Sequence, residues 1–249
     1  MHGGPSLKLI YVATIATTIV LFLGLFMIVP VFFREPQEQT NVQVFLSFDA
    51  VDNGHLSVWC SELASALNEE NVRATVFFSG KGAESNPDLL GYFRNGIDIG
   101  SQTYSYVDLS TVSDFSVQLE EVKSGKEAVD AAGNLYSRVF KAPYGGTDEN
   151  IYYILSQSNI TADFSYTQQY NIYENGQFLK YDATAYEGSL DAVNLISDNQ
   201  SASGVYILTF DSSSSVQQIL DVISALKEAE VDFVNASDLA GMDLTGRGK

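Results

Sequence analysis

The chain reads as an α/β protein with a parallel sheet, preceded by a membrane segment. Three observations predict this. Short apolar runs alternate with stretches of helical periodicity about seven times, no long antiparallel tract interrupts them, and a charge-free run of 25 residues, Leu9 to Phe33, stands before them. The 249 residues are 45% hydrophobic with a mean hydropathy of +0.02, enough for one sizeable core plus an accessory segment, which excludes a disordered tail. A single cysteine, Cys60, cannot close an intrachain disulfide, and it reads as a small buried residue beside Trp59. With 31 Asp+Glu against 13 Lys+Arg, the net charge of -18 repels polyphosphate and argues against nucleic acid as a partner.

Taken in order, residues 1–8 form a short stub and 9–33 a span. At about 1.5 Å per residue the span reaches beyond a hydrocarbon core of roughly 30 Å. The run is too long for a cleaved signal peptide and ends in bulky Val31, Phe32 and Phe33 rather than small residues. Lys8 and Arg34 flank it on opposite sides, so the positive-inside rule nearly cancels; the short stub and large following domain favour a signal anchor at the plasma membrane with the domain outside. Three glycan acceptor sequons, at Asn159, Asn199 and Asn235, fit that placement. Residues 34–41 are a polar stalk, 42–240 the folded domain and 241–249 a tail.

Within the domain, Val42 to Phe48 is an apolar run closed by Asp49, and Ala74 to Ser79 is another, with Ser57 to Glu70 between them at helical spacing. That makes a βαβ unit. NPDLL starts a second helix before the short strand IDIG. Ser113 to Gly133 opens on a serine cap and closes at a glycine. Strands follow near Arg138 to Ala142 and Thr161 to Tyr166, with a helix near Glu149 to Gln157 between them. A helix near Leu190 to Ser197, the strand Val205 to Phe210, a helix apolar at Ile219, Leu220, Val222, Ile223 and Leu226, and the strand VDFV complete the series. Spacing alone does not decide between a closed barrel and an open doubly wound sheet. In both, chemistry sits on the loops leaving the carboxyl ends of the strands.

Those loops carry SFDAVD at Asp49, IGSQTYSYVDL from Ile99 to Leu109, FKAPYG from Phe140 to Gly145, and VYILTFD ending at Asp211. The series resembles the polysaccharide deacetylase family (NodB homology domain), which includes chitin and peptidoglycan deacetylases, over about Val42 to Leu239. The family motifs TFDD, H-x-x-x-H, R-x-P-Y and L-x-H occur there in the same order. The resemblance implies a distorted (β/α) barrel of seven to eight strands. It also implies a reaction in which one Asp and two His hold zinc or cobalt, which polarises an acetamide and activates water, while a second Asp is the base and a late His the acid.

The resemblance places each of these roles on a residue, and most are substituted. Asp49 keeps the base position as a vestige. The metal-ligand positions hold Ala50, Gln102 and Tyr106: a methyl, a neutral amide and a phenol with a reference pKa of about 10. Lys141 replaces the arginine that orients the base, Pro143 and Tyr144 match, and Phe210 replaces the acid histidine. In the DxxDW motif Asp163 is near, but Gln168, Gln169 and Tyr170 fall where the second Asp and Trp belong. No bound metal or other cofactor is expected.

His55 allows a migrated ligand set with Asp49 and Asp52; the alternative is a polar loop with a turn at Asn53-Gly54 and a solvated imidazole. Asp49 is either a retained base or one half of a structural ion pair with Lys141. Tyr104, Tyr106, Tyr144, Tyr166, Tyr170, Tyr173 and Phe210 gather at the expected mouth, either to stack on sugars or to fill the core. The expected function is binding or organising a wall polysaccharide, such as chitin or a related N-acetylglucosamine polymer, without hydrolysis. Competing expectations are an active deacetylase with an atypical site and a purely structural surface protein whose groove Tyr106 and Phe210 close.

Overall fold

The computed structural model describes residues 42–198 and 204–246. The expected stub, anchor and stalk, together with Asn199, lie outside the described residues. Among the described residues no helix is long and apolar enough to cross a membrane.

The central strand β1 (Val42–Ala50) is apolar at almost every position because both its faces are covered. It pairs in parallel with β9 (Gly204–Asp211) along its length, from Val42↔Gly204 to Asp49↔Asp211. On its other edge β10 (Asp232–Val234) takes the first half and β2 (Ala74–Phe78) the second. Parallel pairing continues from β2 through β3 (Ile97–Ser101) and β4 (Val139–Phe140) to β5 (Ala162–Asp163), and from β9 to β8 (Thr184–Glu187). The expected seven to eight parallel strands are therefore present.

The absence of an antiparallel tract does not hold. β6 (Gln169–Glu174) pairs antiparallel with β5 and with β7 (Gln177–Asp182), forming a hairpin turned at Asn175-Gly176, where φ is 52° and 89°. Both residues take the positive φ that a two-residue hairpin turn requires. The ordered path runs β7-β6-β5-β4-β3-β2-β1-β9-β8. It nearly closes on itself, since the Ala183 N–H donates to Gln168 O at 3.1 Å and the Ala185 N–H to Thr167 O at 2.8 Å, joining the β8 end to the start of β6.

Alternation along the strands separates two layers. Phe45, Phe77, Val139, Phe164, Tyr170, Ile207 and Val234 fill the barrel interior. Phe45, Phe164, Tyr170 and Tyr181 stack in series with centroids 4.5, 5.5 and 5.3 Å apart. The opposite faces of β1, β2, β3 and β9 pack against helices α1 (Leu56–Glu70), α5 (Leu190–Asp198) and α6 (Val216–Glu228). Helices α3 (Phe115–Gly133) and α4 (Ile151–Gln157) cover β4 through Val122, Phe140, Ile151 and Leu155.

Local chemistry moved several element ends. The α3 cap is Asp114, whose carboxylate accepts from the Ser116 N–H at 2.8 Å, rather than Ser113. Asn134, not Gly133, makes the left-handed exit. NPDLL forms a 3-10 turn, Pro87–Tyr92, following the short helix α2 (Gly80–Ser85), which Ser79 caps. At the floor of the barrel, helix α7 (Ala236–Ala240) is held by the Ala236 N–H on Thr75 Oγ1 and the Ser237 N–H on Asp98.

Two sequence expectations fail here. Residues 241–246 belong to the packed body rather than to a tail: Leu244 is fully buried and its carbonyl accepts from the Arg138 N–H at 2.8 Å. Asn235 is 2% exposed and its side chain caps α7 while donating to Gly96 O, so it is not an accessible glycan acceptor. Asn159 is exposed, in a left-handed turn after α4.

Candidate functional site

The C-terminal ends of the strands converge on Asp49. Its carboxylate, 9% exposed, stands on the interior face of β1, and the Lys141 Nζ donates to Oδ2 at 2.9 Å and to Oδ1 at 3.0 Å. Nζ also donates to Ser47 Oγ at 3.0 Å and to Thr209 Oγ1 at 3.4 Å. The pair is thus seated among polar side chains from β1, β9 and the end of β4. Burial raises the Asp49 carboxyl above the usual range, Lys141 opposes this without cancelling it, and the charge of Asp211 adds to it. Asp49 and Lys141 thus form an ion pair.

Gln102 follows β3 and points to the same interior, because Gly100, two residues earlier, faces the Phe77 ring. Its Nε2 donates to Asp49 Oδ1 at 3.3 Å. Its Oε1 is buried with no partner. Helix α3 fixes this loop from behind. A Cβ on Gly125 would lie 2.2 Å from Gln102 O, and the Tyr104 N–H donates to Glu121 O at 2.8 Å, so helix and loop backbones touch directly.

Tyr106 and Tyr144 stand over this cluster. Both are non-glycine residues in the left-handed region, with φ of 59° and 58°, a strain of roughly 1–3 kcal/mol each. Their rings meet edge to face at 5.4 Å. Tyr144 is 76% exposed, whereas Tyr106 is half-buried. Burial, with smaller contributions from Asp49, Tyr144 and Asp211, pushes the Tyr106 phenol well above its ordinary value, so it stays protonated.

Other expected site residues lie elsewhere. Tyr104 lies on the outer flank, its hydroxyl donating to Glu84 at 2.6 Å in a groove lined by Glu120 and Glu121. Tyr166 is half-buried and accepts from Thr147 Oγ1 at 3.3 Å. Tyr170 is 6% exposed inside the barrel stack, so it is core and not a sugar platform. Tyr173 meets Phe178 on the hairpin at 5.2 Å. Phe210 is 3% exposed and stacks on Phe48 at 5.4 Å in the outer layer, fitting only because residue 188 is glycine, where a Cβ would lie 2.1 Å from the ring. It forms one wall of a cavity of about 350 Å³ with Gly188, Leu190 and Gln218.

The residues at the metal positions do not fit a zinc or cobalt ion. Ala50 is a buried methyl in the outer layer, Gln102 turns its non-ligating Nε2 to Asp49, and Tyr106 keeps its proton. The migrated set does not assemble either: His55 is exposed at the start of α1, its N–H on Asn53 Oδ1 at 3.0 Å. Among the described residues no group of three His, Cys, Asp or Glu side chains is placed to hold a metal.

Register and alternation add two residues to which motif reading gave no role. Asp211 pairs with Asp49 across β1 and β9, and its charge acts on both Asp49 and Tyr106. Glu187 pairs with Thr209; Ala185 of the same strand packs inward and Tyr186 outward, which puts Glu187 on the interior face. The signal was in the sequence as a carboxylate closing each strand.

Comparison with known proteins agrees with this fold. The curated relatives include a 30.6 kDa protein of Geobacillus stearothermophilus, 23% identical over 81% of this chain and 72% of that one. A peptidoglycan-N-acetylglucosamine deacetylase of Bacillus cereus is 28% identical, over 44% of this chain and 39% of its own length. Among solved structures, a family 4 carbohydrate esterase of Streptomyces lividans aligns with a TM-score of 0.55 at 19% identity, covering 77% of this chain and 91% of that one. A family 4 pseudoenzyme of Bacillus anthracis aligns with a TM-score of 0.57 at 16% identity, over 82% and 66%. The family profile described as polysaccharide deacetylase matches residues 37–162, half of the sequence, and with it the strands that bring Asp49, Gln102 and Lys141 together, so the chain belongs to the polysaccharide deacetylase family.

Proposed function

We propose that this chain is a non-hydrolytic member of the family that binds cell-wall polysaccharide at the mouth of its barrel, held at the cell surface by residues 9–33 with the domain outside. One observation carries the reading. Asp49, the residue at the base position, has both carboxylate oxygens engaged by Lys141, beside a methyl, an amide nitrogen and a protonated phenol at the three metal positions. A carboxylate so held is neutralised by an ammonium, and no strong donor set stands next to it to hold a metal. The exposed Tyr144 ring beside Tyr106 offers an apolar face with a polar tip, the chemistry that stacks on a sugar ring.

The test is acetate release from N-acetylglucosamine oligomers and from peptidoglycan, with and without added zinc or cobalt, alongside pull-down of the full chain on the insoluble polymers. The expected result is retention on a polymer, loss of retention in Tyr144→Ala, no acetate and no metal-dependent rise in melting temperature. Acetate release that disappears in Asp49→Asn establishes the hydrolytic reading instead, and absence of retention on every polymer favours a structural role.

A further inference from the structure

The mouth carries more negative charge than it neutralises. Three carboxylates, Asp49, Asp211 and Glu187, stand at the ends of adjacent strands β1, β9 and β8 on one face, and the one ammonium among them, Lys141, is engaged by both oxygens of Asp49. Asp211 Oδ1 accepts only from Ser213, at 2.8 Å from its N–H and 2.5 Å from its hydroxyl, and among the described residues neither Asp211 nor Glu187 has a cationic partner. Both are exposed. Independently, Gln102 is fully buried in the same cluster with Oε1 lacking any donor, and its orientation is fixed because turning the amide over would set Oε1 against Asp49. Excess carboxylates, an unsatisfied acceptor and an exposed tyrosine face together call for a compact cation with several N–H donors. A neutral acetamide supplies one N–H, a carbonyl that the carboxylates repel and a methyl.

Resting on the polysaccharide-binding reading, we propose that the mouth recognises the free 2-ammonium group of a glucosamine unit, so that this chain prefers deacetylated stretches of wall polysaccharide to N-acetylated ones. Glu187 and Asp211 set the preference electrostatically, Gln102 Oε1 accepts a hydrogen bond, and the exposed Tyr144 ring, braced edge to face by Tyr106, stacks on the sugar. Lys141 keeps Asp49 neutralised, so the attraction comes from the other two carboxylates.

Calorimetric titration of the full chain with a glucosamine tetramer and an N-acetylglucosamine tetramer, at mildly acidic pH where the amines are charged, tests the assignment. The glucosamine tetramer is expected to bind about tenfold more tightly. In Glu187→Gln/Asp211→Asn, whose side chains are exposed and outside the core, the ratio is expected to fall toward one. Equal or tighter binding of the acetylated tetramer overturns the inference while leaving the polysaccharide reading in place. A preference that survives in the double variant, or spermine binding as tightly as the amino sugar, also overturns it. Binding of neither tetramer defeats both readings.

Discussion

Burial governs the ionisation of Asp163. It lies fully buried at the end of β5, opposite Asn171, with Oδ1 held by Ser165 and Oδ2 without a partner. Desolvation lifts its carboxyl from 3.8 to about 6 against the hydrogen bonds from Ser165. A carboxyl raised in the folded state favours folding when protonated, so this group costs about 3 kcal/mol of stability above pH 6, and that cost disappears as pH falls toward 4. Asp163→Asn is therefore expected to stabilise the protein at pH 8 and to change little near pH 4, measured by urea unfolding at both. Lys141 acts in the opposite sense. Lys141→Met strands Asp49 without a counter-charge and is expected to cost about 3–5 kcal/mol at neutral pH, less as Asp49 takes up a proton; Asp49→Asn in the same chain should restore most of it. The Asp49–Lys141 contact was open to sequence reasoning because both positions belong to motifs that converge in the family fold. Tyr170 and Phe210 were misplaced because side-chain direction depends on strand register, which motif spacing does not contain.

The strands buried on both faces were legible as short apolar runs, and α1, α3 and α6 as periodic stretches, because in each case the pattern directly reflects what the element packs against. The β6–β7 hairpin was not. Its outer residues are partly exposed, so it alternates polar and apolar and lacks a solid apolar run. The cue available was Asn175-Gly176, the strongest short-range hairpin signal, lying between two aromatic-rich segments. Contact between α3 and the site loop was equally invisible, since a glycine inside a helix signals close approach without naming its partner. Gly125→Ala is expected to drive that helix off the Gln102–Tyr104 backbone, costing about 1–3 kcal/mol and loosening the Tyr106–Tyr144 pair. A lowered melting temperature together with weakened polymer retention checks it.

Across the molecule the sheet behaves as a hoop fastened by a small clasp. The central strands β1 and β9 share an eight-residue ladder, whereas β8 meets the approach to β6 through two backbone hydrogen bonds, from Ala183 and Ala185. Hydrogen exchange is expected to reach those two amides long before the amides of β1 and β9, and equal protection at both places would refute it. If the clasp opens first, the β6–β7 flap swings away, while β4, β3, β2, β1, β9 and β8, with β10 on β1, stay together. That gives the vessel a seam: Glu187, paired with Thr209 of β9, stays with Asp49 and Lys141 on the fixed wall, and the β6–β7 flap alone is the movable lip.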